Sequence, residues 1–441
     1  MILRLLQWIV AQEWLLRRLG WLFGLYNPFL PEFRRDPHST FRRMREQSPF
    51  YRSRAFMAFI ATRYEDVQFV LRSKDFTTDR FENPMMRAIV KRIRRYPDFA
   101  AMIERNLLML DGDEHRHLRG LVGKAFTPRR IEALRPRIQS LVDDLMDEMA
   151  VSDDVELIRD LAHPVPIAVI VDLLGLPLED RTKFAAWSKH LVQLLDPFQA
   201  KGGDSGIRKA VEELNAYLRP LLEERRTAPR DDLLSAMLEA EESGLRLEER
   251  DLLALVSLIL VAGHETTTNL IGNAVVDLLR NPGERKRLQD NPELIESAVD
   301  EFIRYSGPVL LTDRAATRDC EIAGHRIHKG QMVIAVLAAA NRDPEKFPDP
   351  ERLDLGRTEN HHLGFGLGNH FCMGAQLARL ETEIVIGTLL RRFPDFTGPT
   401  EPDDYVRSMI LRGPIALSLD LRTRGVEPGP RLSQEPDTGS A

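Results

Sequence analysis

The feature that most restricts the fold is an apolar, helix-patterned run of about thirty residues from Asp251 to Arg280. Such a helix is roughly 45 Å long at 1.5 Å per residue. Helical periodicity also dominates from Asp36 to about Asp300, with breaks at Pro- and Gly-containing stretches. From Tyr305 to Asp354 the pattern alternates and breaks at Gly324 and Gly330, which predicts short antiparallel strands.

These patterns predict one mainly α domain with a small β region (α+β), covering residues 36–420. A second hairpin is predicted between Asp404 and Leu421, and Cys320 is predicted to be an ordinary strand residue. Residues 421–441 are rich in Pro, Gly and Ser, which is typical of a disordered tail. The composition, 43% hydrophobic and 29% charged, supports a large core.

Residues 1–35 are interpreted as a separate amphipathic extension. Arg4, Glu13 and a later arginine pair interrupt its apolar runs, which stop at about a dozen residues, short of the roughly 20 that a spanning helix needs. Two interpretations stay open. The helix lies on a membrane surface, giving a peripheral contact through residues 1–30, or it packs against the protein body.

Charge and cysteine content exclude two classes of protein. The net charge of −6 argues against a nucleic-acid binder. Two cysteines in 441 residues do not make a disulfide framework, which indicates a reducing, cytoplasmic location. A basic cluster at Lys91–Arg95 is typical of a solvated face; a carboxylate substrate or an acidic membrane surface is the other interpretation.

One of the two cysteines, Cys372, lies in the glycine-rich stretch FGLGNHFCMG just before a predicted helix. Glycines there permit close backbone approach to a flat object, and the helix start favours a thiolate. The chemistry alone leaves two alternatives open, a thiolate ligand for iron and a nucleophilic cysteine. A P-loop lacks its Lys-Ser/Thr ending here, and a zinc site lacks further thiols.

Phe365, Gly368, Cys372 and Gly374 resemble the haem-binding signature of the cytochrome P450 monooxygenases, Phe-x-x-Gly-x-x-x-Cys-x-Gly. The resemblance extends over roughly Asp36 to Leu419. It implies the cytochrome P450 fold, with a long central helix over a haem b. It further implies O2 as co-substrate and iron ligation by the cysteine, whose electron density favours O–O cleavage.

The middle of the long helix resembles the family motif Ala/Gly-Gly-x-Asp/Glu-Thr. Gly263 costs about 1 kcal/mol relative to alanine, so something other than helix stability dictates this stretch. The hydroxyl of Thr266 can bond to the carbonyl of Ala262 and locally open the helix. The resemblance implies that Glu265 and Thr266 are the acid–alcohol pair that delivers protons during O2 activation. His264 occupies the variable position and receives no role.

Two further groups of residues follow from the resemblance. In the family, a Glu-x-x-Arg pair, here Glu301 and Arg304, joins an arginine from a later loop, here Arg352, in a structural role. The resemblance also implies four contacts to the haem propionates, from His115, Arg119, Arg314 and His370. A guanidinium is well suited to binding carboxylates. The segment before His115 departs from the family by lacking two prolines. The implied haem-binding set is Cys372, His115, Arg119, Arg314, His370, Phe365, Gly366, Gly374 and Ala262.

The implied reaction is the hydroxylation or epoxidation of a lipophilic small molecule by a monomeric enzyme. Electrons are expected from NAD(P)H through a separate ferredoxin or flavodoxin with its reductase, docking near Lys124, Arg129 and Arg130. The stretch AKGGDSG is a candidate lid hinge. The apolar pocket is predicted to be lined by Ile259, Ala262, Val309, Leu310, Leu311, Met409 and Ile410.

Two rival functions remain at this stage. A haem-thiolate sensor or ligand carrier would need Cys372 but not Glu265 and Thr266. A cysteine hydrolase would need no haem and would be colourless.

Overall fold

Most of the chain is described by a computed structural model. The positions outside it include Lys124 and most of the basic Lys91–Arg95 cluster. They also include the first five residues of the candidate hinge and the predicted tail after Leu421. The described residues are 12–80, 94, 96–123, 126–194, 205–242 and 248–421.

Helices make up most of the described chain and surround one long central helix. The helices before it are α1 Glu13–Arg18, α2 Gly20–Phe23, α3 Pro31–Arg35, α4 Pro37–Gln47, α5 Tyr64–Arg72, α6 Pro97–Glu104, α7 Gly112–Gly123, α8 Pro128–Glu132, α9 Arg135–Ala150, α10 Pro164–Leu173, α11 Arg181–Leu191, α12 Ser205–Thr227 and α13 Leu233–Glu242. The central and following helices are α14 Glu249–Arg280, α15 Pro282–Asp290, α16 Ile295–Ser306, α17 Leu337–Ala340 and α18 Ala375–Arg392.

Helix α14 is the predicted long helix. It begins with a capping box in which Glu248 and Asp251 exchange side-chain-to-backbone hydrogen bonds. It ends before Pro282, which cannot continue its hydrogen-bond ladder. Among the described residues it is the one helix long and apolar enough to cross a membrane, but 78% of its apolar window is buried in the protein. It is therefore the core helix of the domain.

The strands form one five-stranded sheet and two small pairs. The large sheet has the order β1-β2-β8-β5-β3, antiparallel except for the parallel pair of β2 and β8. Strands β6 and β7 form a hairpin, and β4 pairs with β9. The strands are β1 Phe50–Ser53, β2 Ala58–Ala61, β3 Phe76–Thr77, β4 Val155–Glu156, β5 Thr312–Ala316, β6 Cys320–Ile322, β7 His325–Ile327, β8 Met332–Ala335 and β9 Ser418–Leu419.

The predicted fold class, mainly α with a small β region, is confirmed, and so are the strands between Tyr305 and Asp354. Cys320 begins β6, as predicted. The helical interpretation of residues 36–300 is wrong where β1, β2, β3 and β4 lie. The predicted C-terminal hairpin is also wrong as a regular element. Pro414 has no N–H for a ladder, so an isolated bridge to Tyr405 replaces it, and β9 pairs with β4.

The N-terminal segment packs on the body through one side. Leu16, Tyr26 and Phe33 are buried, and Tyr26 and Phe33 belong to a core cluster with the sheet. The opposite side of α1 and α2 carries Trp14 and Trp21, which are 61% and 65% exposed. The segment is therefore amphipathic, and its buried side contributes to the folded domain.

Candidate haem-thiolate site

The loop before α18 holds Cys372 through its backbone. The Cys372 amide donates to the carbonyl of Phe365 at 2.9 Å, which closes the loop. Gly366 and Gly368 have φ of +69° and +74°, a conformation that favours glycine. A Cβ on Gly368 would lie 2.9 Å from the Leu71 carbonyl oxygen. The glycines therefore serve the turn and its close approach to α5.

Cys372 is accessible to solvent yet surrounded by protein, and burial raises the pKa of its thiol. The amide of Gly374 and the guanidinium groups of Arg119 and Arg379 oppose that rise. The backbone at the helix start thus favours the thiolate, as expected, while desolvation favours the thiol. A bound metal cation deprotonates a coordinating thiol outright. A Cβ on Gly374 would meet no atom within 4 Å, so there is room for a ligand there.

Three of the predicted propionate residues differ in burial: His115 and Arg314 are buried, and Arg119 is partly accessible. His115 is 1% exposed, and neither of its ring nitrogens has a hydrogen-bond partner among the described residues. Burial, and then the charges of His370 and Arg119, lower its pKa to about 4. Burial also lowers the pKa of Arg314 to about 10. The charges of Arg119 and Arg314 both act on neutral, buried His115, so the carboxylates of a haem fit here.

His370 and Arg119 connect this group to the cysteine loop. The His370 ring lies 4.0 Å from the His115 ring, and its Nε2 is 3.2 Å from Thr78 Oγ1. His370 Nε2 lies 3.9 Å from Oδ1 of Asp111, and this interaction holds the pKa of Asp111 well below its usual range. Arg119 donates to the carbonyl of Phe371 at 2.6 Å. His370 is thus already engaged by protein groups, whereas His115 is not.

One part of α14 is open. From Asp251 to Leu278 its residues are buried except Ala262, Gly263, Glu265 and Thr266. The predicted bond is present: Thr266 Oγ1 donates to the Ala262 carbonyl at 2.9 Å. The helix nevertheless remains α-helical throughout its length. The acid–alcohol pair therefore lies at the exposed part of an otherwise buried helix.

Gly263 has a packing role. A Cβ at this position would lie 2.4 Å from Cδ1 of Ile170 on α10. That distance is far below any real contact, so the glycine lets the two helices approach each other. The unfavourable propensity that the sequence analysis noted is explained by this contact.

His264, a residue without a predicted role, lies beside Glu265 in the structure. His264 is fully buried, and its Nδ1 lies 2.8 Å from the Leu260 carbonyl oxygen. Its Nε2 lies 3.8 Å from Oε1 of Glu265. The ring of His163 packs edge-on at 5.4 Å. Burial raises the pKa of Glu265. The sequence shows only that His264 precedes Glu265, and this adjacency alone does not predict that their side chains face each other.

The predicted apolar pocket residues fall into two sets. Val309 and Ile410 are both partly buried. Their chain segments are neighbours, because the Leu310 amide donates to the Ile410 carbonyl at 2.8 Å. Leu310 and Leu311 are instead buried in the core cluster shared with the N-terminal segment. Their role in lining the pocket stays a prediction, because a buried side chain can still face an enclosed ligand site. Ala262 and Met409 are partly accessible, as Val309 and Ile410 are. Ile259 is buried on α14.

The Glu-x-x-Arg pair is a fully buried ion pair. Arg304 binds Glu301 through two hydrogen bonds of 2.7 and 2.8 Å. The arginine that joins them is Arg357, whose Nε donates to Glu301 Oε2 at 3.1 Å. The prediction of Arg352 is therefore wrong. Its carbonyl accepts from Arg304 and its side chain is exposed, so only its backbone faces the pair.

Comparison with known proteins gives consistent matches along the chain. The family model described as "Cytochrome P450" matches residues 18–417. "Cytochrome P450 107B1" of Saccharopolyspora erythraea is 42% identical, over 86% of this chain and 94% of that protein. "Vitamin D(3) 25-hydroxylase" of Pseudonocardia autotrophica is 39% identical, over 88% and 94%. The crystal structure of myxobacterial CYP267B1 with myristic acid has 41% identity and a TM-score of 0.80, over 89% and 98%.

Proposed function

Because this chain belongs to the cytochrome P450 family, we propose that it inserts one oxygen atom of O2 into a lipophilic small molecule, with electrons from a separate redox protein. It is a monooxygenase, an oxidoreductase that uses haem and O2. In the balanced reaction, two electrons and two protons accompany O2; one oxygen atom enters the substrate and the other leaves as water. The single observation that carries the proposal is the glycine loop that holds Cys372 and places His370 4.0 Å from the buried ring of His115.

The site residues have the following proposed roles. Cys372 ligates the iron, and His115, Arg119 and Arg314 hold the carboxylates. The bound haem supplies oxygen activation, and electron density from the cysteine favours O–O cleavage. The backbone of Gly366 and Gly374 leaves space beside the ring, while Phe365 and Ala262 line it, and His370 is held in place by Asp111.

Glu265 and Thr266 are proposed to hold and pass the protons. Burial raises the pKa of Glu265, so a larger fraction of its carboxyl carries a proton near neutral pH than in an exposed glutamate. The Thr266 hydroxyl donates to Ala262, and its oxygen lone pairs stay free to accept a hydrogen bond. A sensor or ligand carrier would not need this pair.

The variant Thr266→Ala tests this role and distinguishes an enzyme from a sensor. We expect the amount of hydrogen peroxide released per O2 consumed to rise several-fold, because the variant lacks the hydroxyl of the acid–alcohol pair that delivers protons. General acid–base groups typically contribute about 10²–10⁴-fold. The measurement is the ratio of peroxide formed to O2 consumed. The substrate used is a compound whose binding shifts the haem iron from low to high spin. Thr268→Ala, at a buried position of the same helix, is the control. An unchanged ratio in Thr266→Ala would refute the role.

The substrate is proposed to be lipophilic. Val309, Ile410 and Ala262 supply partly buried apolar surface, as is usual for ligand sites. Two relatives support this class by name, a vitamin D(3) hydroxylase and a structure with myristic acid. The enzyme is proposed to act as a monomer in the cytoplasm.

Electrons are proposed to pass from NAD(P)H through a ferredoxin or flavodoxin with its reductase. Of the suggested docking cations, Arg129 is exposed at the start of α8, whereas Arg130 lies 3.5 Å from Asp231. Reversing the charge in Arg129→Glu should slow electron transfer at low salt and flatten its salt dependence. Stopped-flow reduction measures this, and an unchanged rate at every salt concentration would exclude Arg129 from the docking surface.

We also propose that the outer side of α1 and α2 contacts an anionic membrane surface. Trp14, Arg18 and Trp21 follow the i, i+4, i+7 spacing, and the Leu19 amide bonds to Leu15 across the junction. They therefore share one helical face, and all three are exposed. Aromatic rings beside a cation suit the headgroup region of an anionic bilayer.

The double variant Trp14→Ser/Trp21→Ser should bind anionic vesicles roughly tenfold or more weakly, because two large apolar groups are lost. Co-sedimentation of the full chain with phosphatidylglycerol vesicles measures this. Val151→Ser removes an 87% exposed apolar side chain elsewhere and should change nothing. Equal binding of the wild type to neutral and anionic vesicles would contradict the charge component, and equal binding by the double variant would contradict the whole contact.

A further inference from the structure

The buried histidine on α14 has an unusual hydrogen-bonding state. Burial lowers the pKa of His264 to about 4, so the ring is neutral near neutral pH. A carbonyl can only accept, so the contact with Leu260 places the proton on Nδ1. The Ser188 hydroxyl, at 3.5 Å, faces the same nitrogen. Nε2 is therefore a lone-pair acceptor, and it has no hydrogen-bond partner among the described residues.

The group that faces this free acceptor is the acid of the acid–alcohol pair. Glu265 Oε1 is 3.8 Å from Nε2, so a small side-chain rotation brings it within hydrogen-bond distance. A protonated carboxyl can donate there, whereas a carboxylate cannot. An unpaired buried acceptor costs free energy, and a protonated Glu265 would remove that cost. His264 thus favours one protonation state and one orientation of the carboxyl.

A second histidine connects the pair with the outside of the fold. His163, at the N-cap of α10, is partly buried, and its ring is edge-on to His264 at 5.4 Å. Among the described residues, the charged or titratable groups that act on it are His264 and Glu265. His163 in turn acts electrostatically on Glu265. Fully buried His264 lies 3.8 Å from the Glu265 carboxyl, and partly accessible His163 packs against His264 and acts electrostatically on that carboxyl.

We propose that His264 is a positioning residue for the Glu265 carboxyl and that His163 passes protons from solvent to it. In each transfer, an N–H bond of protonated His163 breaks and an O–H bond of Glu265 forms, directly or through one water. Solvent then reprotonates His163, so no other reactant is required. The inference rests on the proposed function, in which Glu265 passes protons to the oxygen chemistry.

The electrostatic link is tested without turnover. Histidine Cε1 resonances of the full-length holoenzyme are followed against pH, with His163→Gln assigning the signal. Glu265 in its charged form raises the pKa of His163, so Glu265→Gln, which cannot carry that charge, should lower the His163 midpoint. An unchanged His163 midpoint would overturn the link.

The positioning role is tested by a pair of variants. His264→Phe fills the same space without an acceptor and should raise peroxide released per O2 by about tenfold, below the full contribution of a general acid. His264→Gln restores an acceptor and should return most of the coupling. His163→Phe should remove the pH dependence of coupling near the His163 midpoint. Equal coupling in the Phe and Gln variants of His264 would refute positioning.

These outcomes separate the inference from the function on which it rests. If the reduced carbon monoxide complex lacks the spectrum of a thiolate-ligated haem, the proposed function fails. If that spectrum is present while the His163 midpoint ignores Glu265, only the proton path fails.

Discussion

Replacing Cys372 with serine is expected to remove the red-shifted Soret band of the reduced carbon monoxide complex and to abolish O2-dependent product formation. The backbone that holds this position depends on the amide bond to Phe365 and on Gly366 and Gly368, so the loop should keep its shape. What changes is the ligand atom. A serine hydroxyl is far harder to deprotonate than a thiol, and oxygen lacks the electron donation of sulfur. The difference spectrum measures the result directly.

The second cysteine provides the matched control. Cys320 lies in β6, where burial and nearby acids raise the pKa of its thiol. Cys320→Ser should keep the red-shifted band and the activity. If Cys372→Ser retained the band, iron ligation by this sulfur would be refuted. If the wild-type protein folded well without pigment, the cysteine-nucleophile alternative would replace the monooxygenase.

Sequence reasoning predicted best where the information is local. The long apolar periodicity of α14 and the spacing around Cys372 are visible within a single window, and the structure has both as a helix and a closed loop. Strands β1 and β2 are different. Each has four residues, and β2 is fixed by a parallel pairing with β8, some 270 residues later in the chain. No local period reveals such a pairing, because strand formation depends on distant partners.

The site shows the same division. Glu301 and Arg304 share a helix, so their spacing alone brought them together. The third partner comes from an irregular loop, where Asp349 has φ of +46°, and spacing does not determine which side chain points inward there. The structure selects Arg357 over Arg352. His163 could not be connected with Glu265 from sequence, since the packing of α10 on α14 brings them together.

The buried ion pair of Glu301 and Arg304, which this loop contacts, gives the largest expected effect on stability. Glu301→Gln should lower the free energy of unfolding by about 3–5 kcal/mol, because it leaves the buried guanidinium of Arg304 without its counter-charge. Both side chains are fully buried. The amide of Asp354 also donates to Glu301, at 2.9 Å, so the loop should loosen as well. Urea unfolding followed by far-UV circular dichroism measures the loss, and haem retention on gel filtration reports on the loop.

The two loop arginines provide the decisive comparison, because they are five residues apart and identical in chemistry. Arg357 donates to Glu301, and its side chain is only 9% exposed. Arg357→Ala should therefore destabilise by about 1–3 kcal/mol, the cost of leaving a buried charged group without a hydrogen bond. Arg352→Ala should stay within about 0.5 kcal/mol, since a surface side chain is removed and the carbonyl that Arg304 uses remains. Equal losses in the two variants would refute the distinction between the two side chains, and a larger loss for Arg352→Ala would show that the side chain at position 352 completes the buried pair.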